Sequence, residues 1–139
     1  MAIKTTESGT TLRNRLVRSI VLAIRTLMQQ GSPDEKSLDM AAYIVLALEK
    51  INETIDAAMV AWEKRDYWVK ADQFRQEWAW IEGSHARLKA AVLAQNWAEI
   101  ARETISVGQR FSHVKIAEKN HIGEPWLGAW NALKRSNNK

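Results

Sequence analysis

Residues 34–82 contain neither proline nor glycine, and the whole 139-residue chain has only two prolines and six glycines. Turns and hairpins draw on those two residues, so a chain this poor in them favours long helices. The apolar residues agree. Ala41, Ile44, Leu48, Ile51, Ile55, Ala58 and Trp62 follow one another at spacings of three and four, which is the period of a helix face. Strand signals are missing, with no sustained two-residue alternation and no Asn-Gly or Asp-Gly pair.

The same spacing divides the chain. A first helix is expected from about Thr11 to Gln30, with Leu12, Leu16, Ile20, Ala23, Ile24 and Leu27 on one face and Gly31 ending it. Ser32-Pro33-Asp34-Glu35 has the order of an N-cap followed by proline at the first helical position. The second helix starts there and runs to a turn at Lys64-Arg65-Asp66-Tyr67, with Asp66 as the next cap. Without that turn one helix from Pro33 to Glu82 would be ~75 Å long, far beyond ordinary helix lengths. A third helix carries Phe74, Trp78, Ile81, His85, Leu88 and Val92, with Gly83 inside it. Gln95-Asn96 breaks the pattern, and Asn96 and Glu99 stand at capping-box spacing. A fourth helix carries Ile100, Thr104, Val107, Phe111 and Val114 and fades near Asn120; a short last helix begins at Glu124-Pro125-Trp126. Long helices with short connections predict an all-α fold, an antiparallel up-down four-helix bundle with a short C-terminal helix. The expected organisation is one domain over residues 1–139, with 1–10 and 136–139 flexible. A solenoid of helical hairpins is the lesser alternative, because the segments do not align as repeats.

There is no cysteine, which excludes disulfides, thiolate metal ligands and cysteine nucleophiles. No apolar run approaches the ~20 residues of a membrane span, and the polar start lacks the order of a signal peptide. A cytoplasmic location is expected.

Two constellations suggest metal chemistry. Glu82/His85 and Glu118/His121 are Glu-x-x-His pairs of the kind that build di-metal sites in four-helix bundles. Across a hairpin turning at Asn96, however, the two pairs would lie ~18 Å apart along the axis, whereas bridged metals are ~4 Å apart. Glu49, Glu53 and Asp56 suggest a Mg²⁺ cluster, but no second acidic cluster faces them and a hard cation needs several oxygens. They read better as a solvated face with Lys50 and Lys64. No nucleophile elbow and no phosphate-binding Gly-rich loop occurs. Neither an enzyme nor a cofactor is expected.

Two surfaces remain. Arg15, Arg18 and Arg25 fall within roughly 80° on the wheel of the first helix, opposite its apolar face, and with Lys4 and Arg13 make a basic ridge suited to phosphates. The alternative is an arginine-rich solvated face. The chain also has seven tryptophans. Trp62 and Trp78 fall on core lines, but Trp68 and Trp80 do not. Val69, Ala86, Ala90 and Ala94 project to the side of Trp80, so the third helix is expected to be apolar on two faces. The cover for its second face is either the C-terminal helix with Trp126 and Trp130, a second copy of the chain, or another partner. The leading expectation is a non-catalytic bundle that acts by association, as a homodimer or a subunit of an assembly, through Trp68, Val69, Trp80, Trp126 and Trp130. The alternative is a small basic bundle that binds RNA or DNA through Arg15, Arg18 and Arg25. A small ligand held near His85 and Trp78 is a third.

Overall fold

A computed structural model describes residues 8–138, and every regular element among them is an α-helix. The fold is all-α. No helix among the described residues is long and apolar enough to cross a membrane.

Helix α1 (Gly9–Met28) starts where the Ser8 side chain accepts a hydrogen bond from the Thr11 N–H, which satisfies one of the amides a helix start leaves open. Residues 1–7, with Lys4 and most of the segment expected to be flexible, lie outside the described residues. At its other end α1 closes at Met28, where the N–H groups of Gln29 and Gln30 bond the carbonyls of Thr26 and Leu27. Gly31 is not left-handed and does not provide the expected cap.

Helix α2 (Glu35–Lys64) is the axis of the molecule: α1, α3, α4 and α6 all pack on it. Its cap is Asp34 rather than Ser32. Asp34 accepts the Ser37 N–H at 2.9 Å while the Ser37 hydroxyl accepts the Asp34 N–H at 3.1 Å. That reciprocal box satisfies two open donors at once, and accepting the Ser37 N–H holds the Asp34 carboxyl below its ordinary pKa.

Asp66 is not an N-cap. It is the left-handed residue (φ 61°) that ends α2, with Asp66 N–H on the Glu63 carbonyl and Tyr67 N–H on the Trp62 carbonyl. This pair of bonds is a Schellman motif. The same arrangement ends α4, where Gln95 (φ 53°) bonds Val92 and Asn96 bonds Ala91. Glycine occupies neither position.

The expected third helix is two, α3 (Trp68–Glu77) and α4 (Trp80–Leu93), separated at Trp78-Ala79. Neither residue is a helix breaker. At the break Ile81 N–H reaches the Trp78 carbonyl and Ala79 N–H the Gln76 carbonyl, three residues back instead of four. Helix α5 (Trp97–Arg110) is capped by Asn96, which accepts the Glu99 N–H. It stops at Phe111, short of the expected Asn120, and residues 112–128 cross the surface without helix. Ile116 and Trp126 are buried and tie this crossing to the core. Helix α6 (Ala129–Asn137) takes its cap from α2: the Asp39 carboxylate accepts the N–H groups of Gly128 (3.3 Å) and Trp130 (2.9 Å).

The left-handed region costs a non-glycine residue roughly 1–2 kcal/mol, and glycine's greater freedom when unfolded offsets about half of that. Gln95→Gly should therefore stabilise the fold by about 0.5–1 kcal/mol, seen as a higher urea midpoint at unchanged slope. A lower midpoint would show that Gln95 does not hold this conformation.

Candidate functional site

The break at Trp78-Ala79 decides where the aromatic rings go. It separates Val69 on α3 from Trp80 and the alanines of α4, and it sets Trp80 against Trp78, with ring centroids 5.9 Å apart and planes at 26°. Phe111, the residue that ends α5, meets Trp80 edge-on at 5.4 Å. Trp62 and Phe74 continue the series at 4.9 Å, and Phe74 meets Trp78 at 6.5 Å. Pairs of this geometry contribute roughly 0.5–1.5 kcal/mol each beyond burial. Both backbone donors at the break keep an acceptor, so no hydrogen bond is forfeited against these ring contacts and the break needs no glycine. The second apolar face expected on the third helix is thereby divided between α3 and α4, and on α4 Ala86 and Ala90 are exposed while Trp80 is half-buried.

Arg13 lies behind this series rather than on the basic ridge. Its guanidinium is 5.0 Å from the Phe74 ring centroid and donates to the Thr54 hydroxyl at 3.1 Å. Burial pushes its pKa down and the Glu77 carboxylate opposes that, but a guanidinium keeps its proton in either case. Arg110 covers Trp80 from solvent, 5.4 Å above the ring.

Two clefts open on either side of α1. The first, of 610 Å³, is walled by Trp78, Trp80 and Phe111, with Arg18, Arg110, His113 and Glu77 at its edges. The second, of 710 Å³, lies between α1, Tyr43 and the 112–128 crossing, and is lined by Arg15, Arg18, Lys119, His121 and Asn120. None of the described residues lining the second cleft is acidic. Asn14 and Arg18 belong to both, so the clefts are one surface divided by two side chains. Tyr43 is held in place by a 2.7 Å hydrogen bond with Ser19.

The ridge read from the wheel is thus divided in role. Arg15 and Arg18 line the clefts, whereas Arg25 donates to the Ile116 carbonyl at 3.4 Å and fastens the crossing to α1. The tryptophans named as an interface do not come together either. Trp68 (58% exposed) and Val69 (73%) stand at the outer end of α3, while Trp80 faces Phe111. Trp126, at 2% exposure, faces the core of its own chain and leaves no surface for a partner; Trp130, with Lys134 over its ring at 5.1 Å, lies on α6 against α2. Glu118 and His121 fall in the non-helical crossing, so the axial spacing that assumed a longer fourth helix does not apply to them. Among the described residues no three His, Asp or Glu side chains gather at metal-binding distance. Lys119, Arg110 and Phe111 were not named from the sequence, and Trp80 was named for an interface rather than a cleft; the wheel of each separate helix carries no sign of how α5 and the crossing come together beside α1. Comparison with protein-family models, with curated proteins and with solved structures gave no match.

His85 does not line the cleft that Trp78 lines. It points at α2, where its Nε2 is buried without a hydrogen bond and lies 3.8 Å from Glu49 Oε2, too far to bond. Burial pushes its pKa below the ordinary value; Glu49 and Glu82 act against this and Lys89 with it. The unfolded chain then binds the proton more readily than the folded one, so the stability is fully present above about pH 6.5 and is lost as pH falls through the folded value. The protein should lose urea stability from pH 7 to 5, and His85→Gln should lose distinctly less. Equal losses would rule His85 out as the cause.

Proposed function

We propose that the protein is a binding module for nucleic acid, with its phosphates held in the cleft between α1 and the 112–128 crossing. The observation that carries this is the convergence of Arg15, Arg18, Lys119 and His121, from two separate parts of the chain, on a cleft with no acidic residue among those described. Cations clustered in this way gain affinity for a phosphate chain by releasing its counterions. Aromatic rings beside the cations, which a basic ridge alone would lack, adjoin through Arg18 and Asn14 and are the usual complement in strand binding. As the frame for this reading we infer an antiparallel four-helix bundle of α1, α2, α4 and α5, which the packing of α1 on α2, α2 on α4, α4 on α5 and α5 on α1 supports. A cytoplasmic location suits such a partner.

Binding of a fluorescent oligonucleotide should weaken steeply with salt. Each cation removed in Arg15→Ala, Arg18→Ala and Lys119→Ala should lower the slope of log K against log salt by about 0.7–0.9. No binding at low salt would end this reading.

A second reading, self-association, rests on α2. Val60 is exposed, and Glu53, Asp56 and Lys64 share its face of the helix, acidic at one end and basic at the other. Among the described residues Asp56, Lys64 and Arg65 have no ion-pair partner. Two copies related by a two-fold axis near Val60 would set each acidic end against the other's Lys64 and Arg65, the self-complementarity a symmetric dimer requires. Sedimentation should give a dimer that Lys64→Glu weakens and Lys64→Glu with Asp56→Lys restores. A monomer at high micromolar concentration would dispose of it.

A further inference from the structure

The two clefts differ in charge, and that difference selects among nucleic acids. The cleft beside the crossing carries only cations and uncharged groups among its described lining. The aromatic cleft carries Glu77 beside Trp78 and Trp80. A phosphate is repelled by Glu77; an uncharged base is not, and the base edge finds donors and acceptors in Asn14 and in the carboxylate. Of the groups around the Trp80 ring, Phe111 is part of the core and Trp78 packs against it, whereas Arg110 is an exposed side chain resting on the ring. A base stacked on an aromatic ring is held more tightly than an exposed guanidinium is, so a base displaces Arg110 from Trp80 and leaves it free to meet a phosphate.

We propose, resting on the nucleic-acid reading above, that the ligand is single-stranded, with a base seated on Trp80 in the aromatic cleft and the adjoining phosphates held by Arg15, Arg18 and Lys119. A duplex keeps its bases stacked inside, and withdrawing one costs unpairing and unstacking energy. A duplex is also too wide to enter clefts of 610 and 710 Å³, which are of the size that encloses small ligands.

The test compares a labelled twelve-residue oligo(dT) with the same strand paired to oligo(dA), by fluorescence anisotropy at low salt. The single strand should bind at least tenfold more tightly and quench the intrinsic tryptophan fluorescence, which the duplex should leave unchanged. Trp80→Leu should lower single-strand affinity about 5- to 100-fold without altering duplex binding, and Arg18→Ala should weaken both. The quenching is read on the unaltered protein, so the outcome does not depend on how Trp80→Leu folds. Equal binding of strand and duplex, or strand binding without quenching, overturns the single-strand inference and leaves the broader reading standing. Failure of both probes to bind overturns the broader reading itself.

Discussion

The molecule is organised by the burial of α2 on nearly every side over its first twenty residues. Met40, Ala41, Ala42, Ile44, Val45, Ala47, Leu48 and Ile51 are all inside, too many to lie on the single stripe of a surface helix. Three of them are alanines, which let neighbouring backbones come close. A helix enclosed in this way needs α1, α4 and α6 around it at once, and the contacts of α2 with each are what the structure has. Position on α2 therefore controls position elsewhere. Asp39 caps α6, Tyr43 fixes Ser19 on α1, Thr54 receives Arg13, and Trp62 begins the aromatic series that breaks the helix at Trp78.

What was legible in the sequence follows from which forces are local. Helix content, the core line of α2, and the Asn96 cap depend on spacing and on hydrogen bonds within three residues, and these could be read directly. The ends of α2 and α4 were harder because Asp66 and Gln95 adopt a left-handed conformation that glycine usually signals. The break at Trp78-Ala79 has no local signal at all. It is made by rings on α2 and at the end of α5 that are remote in sequence. The overlong fourth helix had a similar origin, since Val114 continues the helical spacing although residues 112–128 leave the helix and lie across α1.

The candidate site divides along the same line. Arg15 and Arg18 were found because an exposed helix face is a property of one helix. Arg13 was placed with them, yet on the wheel it falls beside Leu16, Ile20 and Ile24, and its burial could have been read from that alone. Lys119 and Arg110 could not. Lys119 reaches the site through the path of the crossing, which is fixed by Ile116, Trp126 and the bond from Arg25, and Arg110 through the packing of α5 against α1 and Trp80. Thus the charge on α1 was visible, but the concavity that gathers it was not.

The excess positive charge also acquires a direction. The net charge of +4 is small for the chain, too small to attract a polyanion from every side. The fold concentrates it: Arg15, Arg18 and Lys119 share one cleft while Glu49, Glu53 and Asp56 share the outer face of α2. A polyanion meeting this protein would be drawn to one surface and repelled from another, and so oriented as it approached. The two surfaces also lie well apart along α2, since Tyr43 and Val60 are separated by about 25 Å at 1.5 Å per residue. Pairing of two copies near Val60 would leave both basic clefts open, so self-association and strand binding do not compete for surface. In a dimer the second cleft would meet the same strand at a raised local concentration, and affinity would grow with strand length once the strand spans both.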